Sequence, residues 1–367
     1  MKQDDTHPRT VLVTGGAGFI GSNLVRMLLS RGVEVVNLDK LTYAGNRSSV
    51  ADLEGQPGYT FVHGDICDRS LVRRLLADHG PGALLHLAAE THVDRSIASA
   101  DRFVETNLLG SYTLLEEARR HHQQLDDRRR RAFRFLGVST DEVYGTLADT
   151  GAFCESTPYD PRSPYSATKA GADHLARAYF HTHGLPVLVS ACSNNYGPYQ
   201  FPEKVIPLMI FRALAGQPLP VYGQGRNVRE WLHVEDHCDA LWLVLTGGQP
   251  GQTYNIGSGH ELRNIDLVRT LCDLLQQERP PADNPALRAG SYRELISFVE
   301  DRPGHDYRYA MDAGKIRREL GWAPRVELMD GLRRTVRWYL DHQDWVQGVM
   351  AAEPRRWMDA HYGPRQP

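Results

Sequence analysis

Residues 10–21, TVLVTGGAGFIG, constrain this chain more than any other stretch. A β-branched apolar run ends in glycines and passes directly into an amphipathic segment over 19–29, which reads as strand, tight turn and helix. In that setting each glycine has its own role. Gly15 makes the turn, Gly18 admits an anion close to the backbone, and Gly21 lets helix pack on strand. Amides at the helix N-terminus then hold a pyrophosphate. Asp39, which closes the next apolar run, can accept hydrogen bonds from an adenosine ribose and would repel a 2′-phosphate, a choice of NAD over NADP. Asp65, after the third run, can reach the adenine edge.

The same rhythm continues. Apolar runs at 33–38, 59–62, 83–87 and 133–138 alternate with helical patterns around 71–76 and 103–118, and a helix over 163–183 precedes a strand over 185–191. Strands alternating with helices predict an α/β fold of Rossmann type, a doubly wound parallel sheet. Beyond residue 194, prolines and glycines break the rhythm. Residues 1–193 are therefore assigned to an NAD-binding Rossmann domain, and 194–367 mainly to a smaller mixed α/β C-terminal substrate-binding region with some chain returning to the first. The proline-rich stretch 278–284 reads as an exposed connection, and DDRRRR at 126–131 as a solvated loop.

Charge narrows the partners. With 42 Lys and Arg against 45 Asp and Glu, the net charge is −3, too even for a binder of nucleic acid or anionic membrane, whose affinity comes from massed cations. A small molecule is the expected partner. Cys67, Cys154, Cys192, Cys238 and Cys272 are odd in number, scattered and without a CxxC pair, which speaks against a disulfide framework. His121-His122, His181-x-His183 and His233-x-x-x-His237 lack the Cys or carboxylate partners of a tetrahedral set, so no metal is expected. The start, MKQDDTHPRT, is polar and acidic, and no apolar stretch is long enough to span a bilayer, so a cytoplasmic location is expected.

Tyr165 and Lys169, in YSATK, stand on one face of the helix that follows Pro164. A nearby ammonium and a cationic nicotinamide favour the phenolate of a side chain whose ordinary pKa is ~10. Tyr165 can then take a hydroxyl proton as hydride leaves the same carbon. The segment STDEVYG, 139–145, lies at the carboxyl end of the expected fifth strand, the edge where open α/β sheets bind ligands. Thr140 can bond that substrate hydroxyl. Asp141 and Glu142 offer two carboxyls that can hold different protonation states in a closed site, one donating while the other accepts.

Through TGGAGFIGS, DKLTYAGN, HLAAETHVDRSI, STDEVYG, SPYSATKAGADHL, CSNNYGPYQFPEK, VREWLHVEDH, YNIGSG, DRPGHDYRYAMD and ELGW, spread along nearly the whole chain, the sequence resembles the extended short-chain dehydrogenase/reductase superfamily and, within it, the dTDP-glucose 4,6-dehydratases. STDEVYG discriminates: by this resemblance simple sugar-nucleotide epimerases lack the Asp-Glu pair, and nucleotide-glucuronate decarboxylases typically have Ser where Asp141 stands.

The resemblance implies a lyase that oxidises C4 of a nucleotide-linked glucose with Tyr165 as base, loses water across C5 and C6 through Glu142 and Asp141, and returns hydride to C6 with NAD recycled. It implies that NAD is surrounded by Gly15, Gly18, Phe19, Ile20, Gly21, Asp39, Lys40, Leu41, Thr42, Asp65, Ile66, Leu87, Ala88, Ala89, Glu90, Thr91, Thr106, Tyr165, Lys169 and Asn195. Substrate contacts are implied for Thr91, Thr140, Asn194, Lys204, Val205, Pro220, Val221, Tyr222, Arg229, Asn264, Asp301, Arg302, Pro303, Gly304 and His305, with Arg229 as a planar fork on the diphosphate. A homodimer through the helices near 103–120 and 165–183, joined as a four-helix bundle, is implied as well. Thr91 stands where the resemblance has Ser, and the segment 146–161 is shorter than in some relatives. A UDP-glucose 4,6-dehydratase, a sugar-nucleotide epimerase and, from another class, a non-catalytic NAD-binding scaffold are the competing readings. No single residue separates thymine from uracil.

Overall fold

The computed structural model describes residues 7–301 and 304–350. Its first half runs through β1 (Thr10–Thr14), α1 (Phe19–Ser30), β2 (Glu34–Asp39), β3 (Tyr59–His63), α2 (Arg69–His79) and β4 (Ala83–His86). After α3 (Val93–Ala98), one helical run joins α4 (Asp101–Phe103), a π-helical turn (Val104–Gly110) and α5 (Ser111–Gln124), followed by α6 (Asp127–Ala132), β5 (Arg134–Thr140), α7 (Pro164–His183) and β6 (Val187–Cys192). The second half holds β7 (Asn194–Tyr196), α8 (Val205–Leu214), β8 (Leu219–Tyr222), β9 (Val228–His233), α9 (Val234–Gly247) and β10 (Thr253–Ile256). It ends with β11 (Glu261–Arg263), α10 (Asn264–Glu278), β12 (Ile296–Val299), α11 (Gly314–Leu320), α12 (Leu328–Asp341) and α13 (Gln343–Val349).

Among the described residues seven strands pair in parallel, in the order β10-β6-β5-β4-β1-β2-β3. A parallel sheet covered on both faces needs strands that are apolar on both sides. The two-residue period divides them: Val11, Val13 and Leu85 pack with Leu24 and Leu28 of α1 and Leu241 of α9. Leu12 and Leu84 face the other way, onto Leu76 of α2, Leu114 of α5 and Tyr179 of α7. This is the Rossmann-type class that the alternating pattern predicts. The strand order reverses between β1 and β4, which opens a crevice at their carboxyl ends.

A third core fills the C-terminal region, where Ile206, Leu271 and Val336 from α8, α10 and α12 are buried together. A small mixed sheet, with β11 antiparallel and β7 parallel to β9, and a parallel pair of β8 with β12 sit beside it. β10 and α9 carry chain from beyond residue 194 back to the large sheet.

Three local readings change. The helix expected over 103–118 contains the π-helical turn, and a pattern read at 3.6 residues per turn cannot register one wider turn. DDRRRR is not a loop but helical, because Asp126 accepts from the amides of Arg128 (3.0 Å) and Arg129 (2.9 Å), and arginines occupy the last turn of α6. The 278–284 connection is exposed at Pro280, Ala282 and Asp283, yet Asn284 turns inward and donates to the Leu214 carbonyl (3.1 Å) and the Tyr292 hydroxyl (3.2 Å).

Gly21 shows how close α1 comes to the turn before it. A Cβ there would fall on the Gly15 carbonyl oxygen and lie 2.7 Å from Gly16 Cα, both backbone atoms without freedom to move aside. Gly21→Ala is expected to cost ~1–3 kcal/mol, although alanine is the better helix former. The measurement is the urea midpoint; an unchanged or higher midpoint would refute this close approach.

Candidate active site

The crevice opens into a cleft of about 310 Å³. Gly15, at φ +74°, turns the chain out of β1 with its amide on the Leu38 carbonyl (2.9 Å), and a Cβ on it would lie 2.6 Å from the Ala88 nitrogen. The loops after β1 and β4 thus meet backbone to backbone. α1 begins at Gly18 with no side-chain cap among the described residues, and Phe19, Ile20 and Gly21 line the cleft at its start. Asp39, at the end of β2, accepts from the amides of Ala17 (2.9 Å) and Leu41 (2.8 Å). Burial raises its carboxyl pKa, and these two bonds pull against that rise. Beside it Lys40 Nζ lies 2.6 Å from Asp65 Oδ2.

The facing wall carries ionisable groups. β5 ends at Thr140, and a single 3-10 turn, Asp141–Tyr144, follows. α7 opens with a capping box, Ser163 Oγ accepting from the Ser166 amide (3.1 Å) and Ser166 Oγ from the Ser163 amide (3.0 Å), with Pro164 in its first turn. That fixes Tyr165 at the helix start. Thr140 hydrogen-bonds Tyr165; its hydroxyl also donates to Asp141 Oδ1 (3.2 Å) and accepts from the Glu142 amide (3.3 Å).

Asp141 is buried, and its Oδ2 has no hydrogen-bond partner among the described residues. Desolvation, then the charges of Glu142 and Glu230, hold its carboxyl well above the usual carboxylate range, with Arg229 and Thr140 opposing. That direction favours the protonated carboxyl. Tyr165 is likewise pushed up by desolvation and then by Glu142, against the Thr140 bond. Desolvation pushes Lys169 down, with Asp173 and Cys192 opposing, and its ammonium donates to the Val138 carbonyl (2.8 Å).

Gly15, Gly18, Phe19, Ile20, Gly21, Asp39, Lys40, Thr42, Asp65, Ile66, Leu87, Ala88, Ala89, Glu90, Thr91 and Thr106 all line this one cleft, as do Thr140, Asp141, Glu142, Tyr165, Lys169, Asn194, Asn195 and Lys204. Leu41, at φ +54°, stands behind it, and Val205 opens α8 immediately after Lys204. The remaining expected contacts among the described residues do not line it. Pro220, Val221 and Tyr222 form β8 beside β12; Asp301 packs on Gly223, His305 Nδ1 lies 2.6 Å from Asp301 Oδ1, and the His305 and Tyr222 rings meet at 6.0 Å. Gly304 belongs to that segment, Asn264 opens α10 with its amide on the Asn227 carbonyl (2.9 Å), and Arg302 and Pro303 lie outside the described residues. Arg229 is buried; its guanidinium donates to the carbonyls of Val228 (2.8 Å), Asp306 (2.9 Å) and Tyr307 (3.3 Å) and sits 4.3 Å from the Tyr309 ring centroid. The planar fork expected on a diphosphate is here engaged with backbone.

Sequence reasoning passed over Ser139, Cys192, Gln200 and Glu203, which line the same cleft. Glu203 is the most informative: its buried carboxylate lies 3.6 Å from Arg95 and 3.8 Å from His92, and Arg95 stacks 4.0 Å from the Tyr43 ring centroid. The available signal was a carboxylate placed directly before Lys204 in an aromatic, proline-bearing loop. Among the described residues no three His, Cys, Asp or Glu side chains converge as a metal site.

Residues 12–335 match the family model described as GDP-mannose 4,6 dehydratase. A dTDP-glucose 4,6-dehydratase of Xanthomonas campestris pv. campestris is 58% identical over 342 residues, 93% of this chain and 96% of that protein. The crystal structure of DesIV, a dTDP-glucose 4,6-dehydratase from Streptomyces venezuelae with NAD and TDP bound, matches with a TM-score of 0.83 at 48% identity, over 93% of this chain and 99% of that one. A UDP-glucose 4-epimerase of Thermus thermophilus in complex with NAD matches with a TM-score of 0.78 at 30% identity, over 91% and 99%. The backbone is thus shared by two chemistries, and cleft side chains must separate them.

One side chain from the π-helical turn ties the two walls together. Asn107 Oδ1 accepts from the Glu90 amide (2.9 Å), and its Nδ2 donates to the Glu90 carbonyl (3.0 Å) and to Thr168 Oγ1 (3.0 Å), which in turn donates to the Tyr165 carbonyl (2.8 Å). Asn107→Ala strands buried backbone groups and is expected to cost ~1–3 kcal/mol in chemical denaturation. A loss below about 0.5 kcal/mol would show that the bridge is replaced by other partners.

Proposed function

We infer the function of this chain from the family to which it belongs, that of the GDP-mannose 4,6 dehydratases: it is a lyase that dehydrates dTDP-glucose to dTDP-4-keto-6-deoxyglucose. The observation that carries this reading is the buried Asp141 carboxyl, its Oδ2 without a hydrogen-bond partner among the described residues, beside Glu142 and joined to it by Thr140 at the end of β5. An epimerase needs only the tyrosine and a hydride acceptor; a carboxylic acid kept protonated next to a second carboxyl is what elimination of water requires.

NAD fits the cleft. Gly15 and Ala88 leave no room for a side chain between the loops, the amides at the start of α1 are uncapped, Asp39 stands at the end of β2, and the buried Asn195 Oδ1 lacks a partner among the described residues. When bound, NAD supplies the acceptor that takes hydride from C4 and gives it back at C6.

The chain's own residues handle the protons. Tyr165 takes the C4 hydroxyl proton, with the Lys169 ammonium and the Thr140 hydroxyl, once its proton turns from Asp141 to the phenol oxygen, as the protein groups that favour its phenolate. A ketone at C4 acidifies the C5 proton, which Glu142 removes. Asp141 gives its proton to the departing C6 hydroxyl, so water leaves and the two carboxyls exchange protonation states. Return of that proton to C5 resets Glu142, and the proton Tyr165 took from the C4 hydroxyl balances, by way of solvent, the one Asp141 gave up. Thr91, Asn194 and Lys204 meet the sugar nucleotide inside the cleft, and the cluster of β8, Asn264, Asp301, Gly304 and His305 receives its nucleotide end, near Arg229.

The proposal includes a homodimer. α5 and α7 lie side by side, and Leu109 is 53% and Tyr112 39% exposed on a face shared with Leu108, Leu175 and Ala178. A cluster of large apolar side chains in water supports pairing with a second copy. It also includes a cytoplasmic setting, in keeping with the free thiols of Cys67, Cys154, Cys192, Cys238 and Cys272.

Three outcomes test the reading. Purified protein without added cofactor is expected to release one water from dTDP-glucose, followed by mass spectrometry, and to act far more slowly on UDP-glucose; no loss from either, even with NAD supplied, would end the assignment. Glu142→Gln should slow water loss by about 10²–10⁴-fold while NAD content stays parental, and unchanged turnover would remove Glu142 from the mechanism. Leu109→Asp should convert a dimer to monomer in sedimentation velocity, and a parent that sediments as a monomer would refute the dimer.

A further inference from the structure

α7 carries a third ionisable residue on the face of Tyr165 and Lys169: Asp173, one further turn along. It is buried, and its Oδ2 accepts from Ser139 Oγ (2.6 Å) and from the Tyr159 hydroxyl (3.0 Å). Tyr159 is itself held by Arg177, whose Nη2 donates to its oxygen (2.8 Å) and whose guanidinium lies 4.8 Å from its ring centroid. Burial raises its carboxyl pKa, and the Lys169 charge, the two hydroxyl donors and the Arg177 guanidinium pull against that rise in favour of the ionised form.

Lys169 spends one of its three ammonium protons on the Val138 carbonyl. Behind it, bounded by Lys169, Asp173, His86 and Ser111, lies a void of about 20 Å³, room for one water with polar partners around it. The groups that face Lys169 from other elements bring no charge. His86 on β4 is pushed by burial down to about 3 and stays neutral, bonded to Thr14 Oγ1 (2.8 Å) and Ser111 Oγ (2.9 Å). Burial pushes the Cys192 thiol of β6 up, so it stays protonated. Asp141 and Glu142 act on Tyr165, whereas the carboxylate that acts on Lys169 is Asp173.

We propose that Asp173 is a positioning residue for the reaction: across this void, through one bridging water, its carboxylate keeps Lys169 charged and so keeps Tyr165 able to reach the phenolate. The inference rests on the roles given above to Tyr165 and Lys169. A buried ammonium without a counter-charge sheds its proton rather than remain ionised in an apolar setting. A neutral Lys169 would offer the phenolate no field.

Two variants of the holoenzyme separate charge from shape. Asp173→Asn keeps the volume and an amide oxygen for Ser139 and Tyr159 but removes the charge; Asp173→Glu keeps the charge and disturbs the packing. The initial rate of water loss from saturating dTDP-glucose is measured across pH for both and for the parent. In Asp173→Asn the basic limb, where Lys169 loses its proton, is expected to move toward lower pH by roughly one unit, about a tenfold loss of rate on that side. Asp173→Glu is expected to keep the parental limb whatever its maximal rate. An unmoved limb in Asp173→Asn, or equal shifts in both variants, would overturn the proposal, as would an Asp173→Asn chain that does not fold where Asp173→Glu does. A parent that loses no water sinks the functional reading and this role with it.

Discussion

The cleft depends on one approach that only a hydrogen side chain permits, Gly15 against the backbone of Ala88. Because the sheet order reverses between β1 and β4, the loops leaving these strands diverge, and their nearest point sets the floor of everything built above. The turn at Gly15 aims the start of α1 at the cleft, and the same loop, through Ala17, occupies one oxygen of Asp39. From the other side, Glu90 is fixed by Asn107, and Asn107 reaches the turn of α7 that bears Tyr165. Cofactor floor and catalytic wall are therefore one hydrogen-bonded unit.

Within that unit three buried aspartates share desolvation and differ in company. Asp39 has two backbone amides, which offset part of its burial. Asp141 has one hydroxyl, an oxygen without a partner among the described residues and two neighbouring carboxyls; its burial and those carboxyls push its pKa up, against the Thr140 bond and Arg229. Asp173 has two hydroxyls and the field of Lys169. The same side chain thus meets three different electrostatic settings, each decided by what lies within hydrogen-bond distance.

Local features of this arrangement could be read from residue order, and distant ones could not. Gly15, Gly18, Gly21 and Asp39 were legible because the strand, turn and helix that use them are contiguous, and Tyr165 with Lys169 because helical periodicity puts them on one face. STDEVYG could be placed at the cleft because strand ends follow from the alternating pattern. Glu203 escaped, since its partners Arg95 and His92 come from a segment far away in sequence. Arg229 was legible as a cation but not as one committed to the carbonyls of Val228 and Asp306, because backbone acceptors leave no mark on composition. The wider turn at 104–110 escaped for a different reason, that one extra residue shifts a periodic pattern without erasing it.

The return of β10 to the large sheet has a consequence for how this fold can be divided. β10 covers the outer side of β6, pairing Thr253 to Ile256 with Val189 to Cys192. A chain severed after β6 would expose an apolar edge strand, a template for pairing with other copies. It would also lose α9, whose Leu241 and Val244 share the core of β1 and β4. The nucleotide-binding half is therefore not a module that could be excised or exchanged intact, because its last strand is synthesised only after much of the second half.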